Sequence, residues 1–210
     1  MWRILLADDH ALLRSGLRRI LEEALPGVQV GEAGTADEVL AALPDGAWDL
    51  LILDISMPGR SGLDILPDLK AQQPALPILV LSMFGEQQFA IRALKAGASA
   101  YLTKERAPEE LIQAVRTVLG GRRYIGASLA EALASHVSSD REVAPHERLS
   151  AREFEVLRLI AAARTPGEIA EKLGLSVKTV STYRARILEK MQLATNAELM
   201  QYALRHGLVE

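Results

Sequence analysis

The chain has 210 residues, of which 49% are apolar, and a net charge of −3 at neutral pH. This is enough apolar material for two small packed domains, while the absence of cysteine excludes disulfides and thiolate metal sites. No apolar run approaches the about 20 residues of a membrane-spanning helix, and residues 1–30 lack a secretory signal pattern. We therefore expect a cytoplasmic protein with no membrane partner.

The charge differs along the chain. Residues 1–120 carry 11 Lys and Arg against 16 Asp and Glu, whereas residues 150–210 carry 9 against 7. An acidic first part and a mildly basic last part indicate two separate tasks.

Short apolar runs alternate with amphipathic stretches over the first 120 residues. Continuous apolar strands are typical of a parallel sheet that helices cover on both faces, and right-handed crossovers make such a sheet doubly wound. We predict an α/β, doubly wound, five-stranded parallel sheet of the flavodoxin-like type. The predicted strands are 4–7, 28–33, 49–54, 77–83 and 99–103, and the predicted helices are 11–24, 36–43, 62–72, 86–96 and 108–119.

The alternation ends near residue 120. Residues 121–148 predict a short helix followed by a linker, because 137–148 lack a sustained apolar period. The predicted domains are therefore 1–120 and 149–210, and the second is a small all-α domain.

The helix starts of the second domain are clear. Capping boxes are expected where Ser150 is followed by Glu153 and where Thr165 is followed by Glu168. Ser176 and Asn196 are predicted to cap two further helices, and Gly174 to end the second. The short turn LGLS then joins two helices into a helix-turn-helix candidate.

Polar residues stand where four of the predicted strands end. They are Asp8 and Asp9, Asp54, Ser82 and Lys104. Ligands of open α/β sheets bind outside the carboxyl ends of the strands, so these five residues are expected to converge. Three carboxylates suit Mg²⁺ or Mn²⁺, and a carboxylate can attack phosphorus. The spacing therefore predicts a cation beside a phosphoryl acceptor, Asp54, rather than ordinary turn and cap residues.

The motifs ADDH, LDISMPGRSG, VLSMF and YLTKE resemble the receiver domain of two-component response regulators. The segment LSAREFEVLRLIAAARTPGEIAEKLGLSVKTVSTYRARILEKMQL resembles the LuxR-type output domain. Together they make nearly the whole chain similar to the NarL/FixJ subfamily.

The resemblance implies a role for each matched residue of the receiver. Asp54 is the phosphoacceptor, and the metal is bound by Asp8, Asp9, Asp54 and the backbone carbonyl of Ser56. Lys104 contacts the phosphoryl group, the Ser82 hydroxyl moves onto a phosphoryl oxygen, and the rotamer of Tyr101 follows it.

Two residues beside the predicted site stand apart. Glu105 occupies a position where many receivers carry a proline after a cis peptide bond. His10 adjoins the acidic pair, but the four histidines show no metal-site spacing, so it is not predicted as a ligand.

The helix predicted after Ser176 is basic on one side. Val180, Ile187 and Met191 recur at helical spacing and are expected to face the preceding helix. A helix-turn-helix places its second helix in the major groove of DNA. We expect base contacts from Lys178, Ser181 and Thr182, and phosphate contacts from Arg184, Arg186 and Lys190. The alternative is a solvated surface helix of a helical bundle.

The resemblance also implies that the last helix pairs two output domains. Leu199, Tyr202 and Ala203 are the predicted dimer residues, and the alternative for them is packing within one domain. We expect a transcription factor that binds double-stranded DNA, dimerises when phosphorylated, and is controlled by Mg²⁺-dependent phosphorylation by a sensor histidine kinase. It is not expected to be an enzyme beyond catalysing its own phosphoryl transfer and dephosphorylation.

Two other functions were weighed. An aspartate-nucleophile phosphatase or hydrolase carries a second Asp two residues after the nucleophile, and Ser56 stands there instead. A regulator that has lost phosphorylation is disfavoured by the complete set of Asp8, Asp9, Asp54, Ser82 and Lys104.

Overall fold

Residues 1–45, 47–83, 85–126, 129–131 and 144–209 are described by the structure, a computed structural model. The chain divides into two units, Met1–Arg141 and Glu142–Glu210. Within the described ranges, no helix is long and apolar enough to cross a membrane.

The first unit contains the doubly wound sheet that the sequence predicts. All its pairings are parallel, and the strand order is β2-β1-β3-β4-β5. Each strand begins and ends within one residue of its prediction. The strands are β1 (Arg3–Ala7), β2 (Gln29–Ala33), β3 (Leu50–Asp54), β4 (Ile78–Ser82) and β5 (Ala100–Thr103).

Helices cover both faces of this sheet. Leu17 and Leu21 from the first helix and Leu111 from the fifth pack in one buried cluster with strand residues such as Ile4 and Ile52. Alternate strand residues point to the opposite face, where the other helices lie. The helices are α1 (Ala11–Ala24), α2 (Ala36–Asp45), α3 (Gly62–Gln72), α4 (Glu86–Lys95) and α5 (Ala107–Leu119).

The register of the sheet brings the predicted site residues to one edge. Asp54 pairs with Leu81 across β3 and β4, and Ser82 pairs with Thr103 across β4 and β5. The backbone N–H of Lys104 then donates to the carbonyl of Ser82 at 2.7 Å. The carboxyl ends of four strands therefore open onto the same crevice.

The second unit is helical, as predicted. A 3-10 turn, Pro145–Arg148, precedes α6 (Ala151–Ala161), α7 (Pro166–Leu173), α8 (Val177–Met191) and α9 (Asn196–Arg205). Both predicted capping boxes are present. The prediction that Asn196 caps the last helix is wrong by one residue. Thr195 is the cap, because it is extended and its side chain accepts from the N–H of Glu198.

The predicted linker differs from the structure at its end. His146 is only 8% exposed, and its Nδ1 lies 2.7 Å from the hydroxyl of Tyr202 on α9. The 3-10 turn thus packs into the second unit, although it lacks the apolar period on which the linker prediction relied. At the other end, Tyr124 forms a β-bridge with Ala100, so packing of the first unit continues beyond residue 120. Residues 132–143 of the predicted helix and linker lie outside the described residues.

Candidate functional site

The acidic residues at the carboxyl edge of the sheet come together. Asp8 and Asp9 follow β1, and Asp54 is the last residue of β3. Together with His10, their carboxylates offer ligand atoms that all lie within 4.8 Å of one another. Asp8 and Asp54 are fully buried, whereas the Asp9 side chain is 21% exposed.

Lys104 neutralises part of this negative charge. Its Nζ lies 2.6 Å from Oδ2 of Asp54 and 2.7 Å from Oδ2 of Asp8. Burial lowers the pKa of Lys104, but the two carboxylates outweigh burial and raise the pKa above its ordinary value. Lys104 therefore stays charged and holds the two carboxylates together.

The electrostatics of Asp54 differ from those of a surface carboxylate. Burial raises its pKa to about 6, the contact with Lys104 opposes that rise, and repulsion from Asp8 adds to it. Its Oδ1 accepts a hydrogen bond from the N–H of Ser56 at 3.0 Å. Both oxygens are thus engaged, one by a cation and one by the backbone.

Of the remaining predicted receiver residues, Ser82 lies at this edge, whereas Tyr101 lies within β5 and pairs with Val80. Ser82 is fully buried at the end of β4, and Tyr101 is 1% exposed on β5. The ring of Tyr101 is buried in this conformation, and the movement that follows Ser82 on phosphorylation stays a prediction. The peptide bond between Lys104 and Glu105 is trans, since no described residue has a cis bond.

The donor set of this crevice fits a hard divalent cation. Carboxylate and carbonyl oxygens are the ligands that Mg²⁺ and Mn²⁺ take in proteins. Ser56 Oγ is buried and has no hydrogen-bond partner among the described residues. An unsatisfied buried hydroxyl is costly, so it indicates a partner that the protein itself does not supply. The acidic cluster can therefore bind a metal ion.

His10 is the member of the cluster that the sequence analysis left out. Its Nδ1 lies 2.7 Å from Oδ1 of Asp9 and 3.4 Å from Oδ1 of Asp8. The relevant sequence signal was adjacency to the acidic pair rather than any spacing between histidines.

The helix-turn-helix of the second unit has the predicted arrangement. Gly174 ends α7 in the left-handed region at φ 62°, and the Ser176 side chain accepts from the N–H of Thr179 to begin α8. Val180, Ile187 and Met191 are buried, which confirms the predicted packing face of α8. The predicted base-contact residues Lys178, Ser181 and Thr182 are exposed.

A shallow concavity of about 270 Å³ runs along one side of α8. It is lined by Lys178, Thr179, Thr182, Tyr183 and Arg186. Thr179 and Tyr183 were not predicted for this surface, although they stand one residue after Lys178 and Thr182 and follow the same helical spacing.

The other two predicted phosphate contacts are engaged inside the domain. Arg184 Nε donates to Oδ1 of Asn196 at 2.6 Å, which ties α8 to the start of α9. Lys190 Nζ lies 2.6 Å from the buried Oε2 of Glu153 on α6. The structure thus shows Lys190, a predicted phosphate contact, with its charge paired with a carboxylate of the core.

The structure corrects two of the three predicted dimer residues of the last helix. Leu199 and Ala203 are fully buried, so they pack within their own domain and leave no surface for a second copy. Tyr202 is half-buried, stacks on His206 with ring centroids 4.1 Å apart, and contacts His146.

Comparison with known proteins bears on both units. Residues 4–116 match the response regulator receiver domain, and residues 147–203 match the luxR family of bacterial regulatory proteins. The response regulator UvrY of Escherichia coli (strain K12) is 36% identical over 210 residues, covering 99% of this chain and 96% of UvrY. The chain belongs to the response regulator family.

A second relative of this response regulator matches over its whole length. The response regulator GacA of Pseudomonas aeruginosa is 37% identical over 212 residues, covering 100% of this chain and 99% of GacA. With a receiver domain and a LuxR-type DNA-binding domain, the chain has the architecture of the NarL/FixJ subfamily.

Solved structures agree with the fold of this response regulator. RcsB from Salmonella enterica serovar Typhimurium, bound to the promoter P1flhDC in the presence of the phosphomimetic BeF₃⁻, aligns with a TM-score of 0.61 and 30% identity. The alignment covers 96% of this chain and 97% of RcsB.

Proposed function

We propose that this response regulator accepts a phosphoryl group on Asp54 from a sensor histidine kinase and thereby controls its binding to double-stranded DNA. The observation that carries the proposal is the convergence of Asp54 with Asp8, Asp9 and Lys104 in one crevice, on a chain that also carries a helix-turn-helix. The location proposed for this activity is the cytoplasm.

The nucleophile of the proposed transfer is a carboxylate oxygen of Asp54. That oxygen forms a bond to phosphorus while the P–N bond of the donor histidine breaks, and the electron pair leaves with the imidazole nitrogen. Lys104 now lies against Oδ2, so it must move from the carboxylate to an oxygen of the arriving phosphoryl group. The hydroxyl of buried Ser82 is the proposed second partner of that group, with Tyr101 packed behind it.

The ligands proposed for the metal are the carboxylates of Asp8, Asp9 and Asp54 and the backbone carbonyl of Ser56. Bound there, Mg²⁺ or Mn²⁺ would offset the repulsion between three carboxylates and a phosphoryl anion. The chain itself fixes the ligands in place. The backbone N–H of His10 donates to Oδ1 of Asp8 at 2.8 Å, and the backbone carbonyl of Asp8 accepts from Nη1 of Arg14.

The DNA-reading element proposed is α8. Its exposed residues Lys178, Ser181 and Thr182 are at the N-terminal end, which is the part of a recognition helix that meets base edges. Arg186 is the proposed phosphate contact on the concave side. Since helix-turn-helix proteins read two half-sites, we propose that the phosphorylated chain binds as a homodimer.

The chain is proposed to act as a regulator rather than as an enzyme with an external substrate. A hydrolase of the aspartate-nucleophile type needs an acid near the nucleophile, and Ser56 offers only a hydroxyl at the matching position. The chemistry proposed is limited to phosphorylation and dephosphorylation of Asp54 itself.

A labelling experiment on the 210-residue chain tests this proposal. Incubation with radiolabelled acetyl phosphate and Mg²⁺ should label the wild type but not Asp54→Asn, because an amide cannot form an acyl phosphate. The matched control is Asp68→Asn, which replaces an exposed aspartate of α3 outside the four-residue cluster and should be labelled normally. Undiminished labelling of Asp54→Asn would refute the assignment.

The second arm of the test follows DNA binding. Sites are selected from random double-stranded oligonucleotides, and affinity is measured by fluorescence anisotropy at one salt concentration. Acetyl phosphate should tighten binding of the wild type and shift its sedimentation towards a dimer, with no change for Asp54→Asn. Equal affinity with and without phosphodonor would contradict the proposed control of DNA binding.

A further inference from the structure

We infer that His10 is a protein ligand of the metal site and that its imidazole shifts the preference of the site from Mg²⁺ towards first-row transition cations such as Mn²⁺ and Co²⁺. The inference rests on the proposed function, because it concerns the same crevice.

The geometry of the cluster carries the inference. Two atoms that bind one octahedral ion at neighbouring positions, each about 2.1 Å away, lie about 3 Å apart. Nδ1 of His10 lies 2.7 Å from Oδ1 of Asp9 and 3.4 Å from Oδ1 of Asp8, on either side of that separation. The ligand atoms of the four-residue cluster all lie within 4.8 Å of one another. Opposite ligands of one octahedral ion are separated by about 4 Å, which is close to this limit.

A second feature of the crevice points to a ligand. Ser56 Oγ is buried beside Asp54 and has no hydrogen-bond partner within the described part of the chain. The site with the carboxylates and His10 therefore includes a buried polar group whose hydrogen bond the protein itself does not supply.

Helix capping does not account for the histidine. His10 is the N-cap residue of α1, where Ser, Thr, Asp or Asn are preferred because their oxygens accept from the first turn. Among the described residues its side chain makes no capping hydrogen bond, and 64% of that side chain is exposed. The imidazole instead turns back to the carboxylates, with freedom to adjust its position around an ion.

The chemistry of the ligands then determines which cation the site prefers. Mg²⁺ takes oxygen ligands and binds imidazole poorly, whereas Mn²⁺, Co²⁺ and Ni²⁺ accept nitrogen with affinity that rises in this order. One nitrogen ligand added to three carboxylates therefore raises the affinity of the site for transition cations more than its affinity for Mg²⁺.

The test is a binding experiment on the full-length chain at pH 7.5, with Co²⁺ and Mg²⁺ titrated separately by calorimetry. His10→Asn should lower the affinity for Co²⁺ about tenfold more than the affinity for Mg²⁺. Pulsed electron paramagnetic resonance of the Mn²⁺-loaded protein should show coupling to a ligand nitrogen in the wild type and none in His10→Asn.

Two further variants make the outcomes distinct. His206→Asn removes an exposed imidazole from the second unit and should keep the cation preference and the nitrogen coupling. Asp9→Asn should weaken both cations. If His10 is only a counter-ion of Asp9, His10→Asn raises the affinity for both cations and the inference is overturned. Equal losses for both cations, or no nitrogen coupling in the wild type, also overturn it. Failure of the wild type to bind either cation would refute the proposed metal site as well.

Discussion

Lys190 Nζ of α8 lies 2.6 Å from Oε2 of Glu153 on α6, and the Glu153 side chain is only 4% exposed. Removing the cation leaves a buried carboxylate without its partner, although the 42% exposure of Lys190 allows water to screen part of the loss. Lys190→Met should therefore destabilise the second unit by about 1 to 2 kcal/mol. Hydrogen exchange of peptides from α6 and α8 measures the change. Arg164→Met is the control, because Arg164 and Glu168 form an exposed pair that water screens, so its loss should leave the stability of the second unit nearly unchanged.

The contribution of this pair depends on pH. Burial raises the pKa of Glu153, but Lys190 and Ser150 outweigh burial, so the pKa lies below the ordinary value of 4.5. When the pKa of a carboxyl is lower in the folded state, its ionisation stabilises the fold at pH values above the pKa of the unfolded state. That stability is lost as the pH falls through the pKa of the folded state. The difference between the wild type and Lys190→Met should be full at pH 7 and shrink below a pH of about 4.5. A difference that stays constant down to pH 3 would contradict the pairing.

In the absence of divalent cations, the contribution of Asp54 to stability should depend on pH in the opposite direction. Its pKa of about 6 exceeds the ordinary 3.8, so the folded state binds the proton more tightly than the unfolded state. Stability is then reduced above a pH of about 6 and recovers as pH falls towards 4. In EDTA at pH 7.5, Asp54→Asn should raise the free energy of unfolding by about 1 to 3 kcal/mol, with less gain at pH 5.

Urea unfolding followed by tryptophan fluorescence measures that change in the right unit. Trp2 and Trp48 are the two tryptophans of the chain, and both belong to the first unit. A gain from Asp54→Asn that is the same at pH 5 and pH 7.5 would show that ionisation of Asp54 is not its cause.

Gly62 at the start of α3 is required by close packing beneath the acidic site. A Cβ added there would collide with the backbone carbonyl of Asp54 and lie 3.1 Å from Cα of Ile55. Backbone atoms cannot move aside as a flexible side chain can, so Gly62→Ala should destabilise the first unit by about 1 to 3 kcal/mol and slow labelling by acetyl phosphate. Gly16→Ala is the matched control. A Cβ there has no described atom within 4 Å, and the helical position should gain about 0.5 to 1 kcal/mol.

The salt dependence of DNA binding distinguishes Arg186 from Lys190, two of the four cations of α8. Arg186 is exposed and lines the concavity, so Arg186→Ala should reduce the slope of log affinity against log salt by about one unit. Lys190→Met should leave the slope unchanged, because its charge is already paired with Glu153. Equal slopes for the wild type and Arg186→Ala would remove Arg186 from the interface.

Base discrimination is expected from Thr182. Its hydroxyl donates to the carbonyl of Lys178 at 3.0 Å, which leaves its oxygen able to accept from a base edge. Thr182→Ala should lower discrimination at one base position by about 1 to 3 kcal/mol, measured by anisotropy on single-base variants of a selected site. A uniform loss on unrelated DNA would instead indicate a backbone contact.

Local patterns in the sequence predict the elements and the edge of the sheet at which the acidic residues meet. Apolar runs and period-3.6 patterns are local, so each strand is predicted within one residue, and Ser150 and Thr165 mark the starts of their helices. Asp54 and Lys104 are 50 positions apart, yet a parallel sheet has only one carboxyl edge, so their convergence followed from the strand order.

Contacts between side chains of different elements become visible only in the folded chain. Helical spacing predicts a phosphate contact for Lys190 but cannot reveal that its charge is paired with a carboxylate 37 positions away on α6. Leu199 and Ala203 were assigned to a dimer because an apolar stripe does not say whether its partner is the same chain or a second copy. His146 and His10 were passed over because their contacts depend on a single imidazole rather than on a repeating pattern. Burial and ion pairing join residues that are distant along the chain, and such pairs leave no period in the sequence.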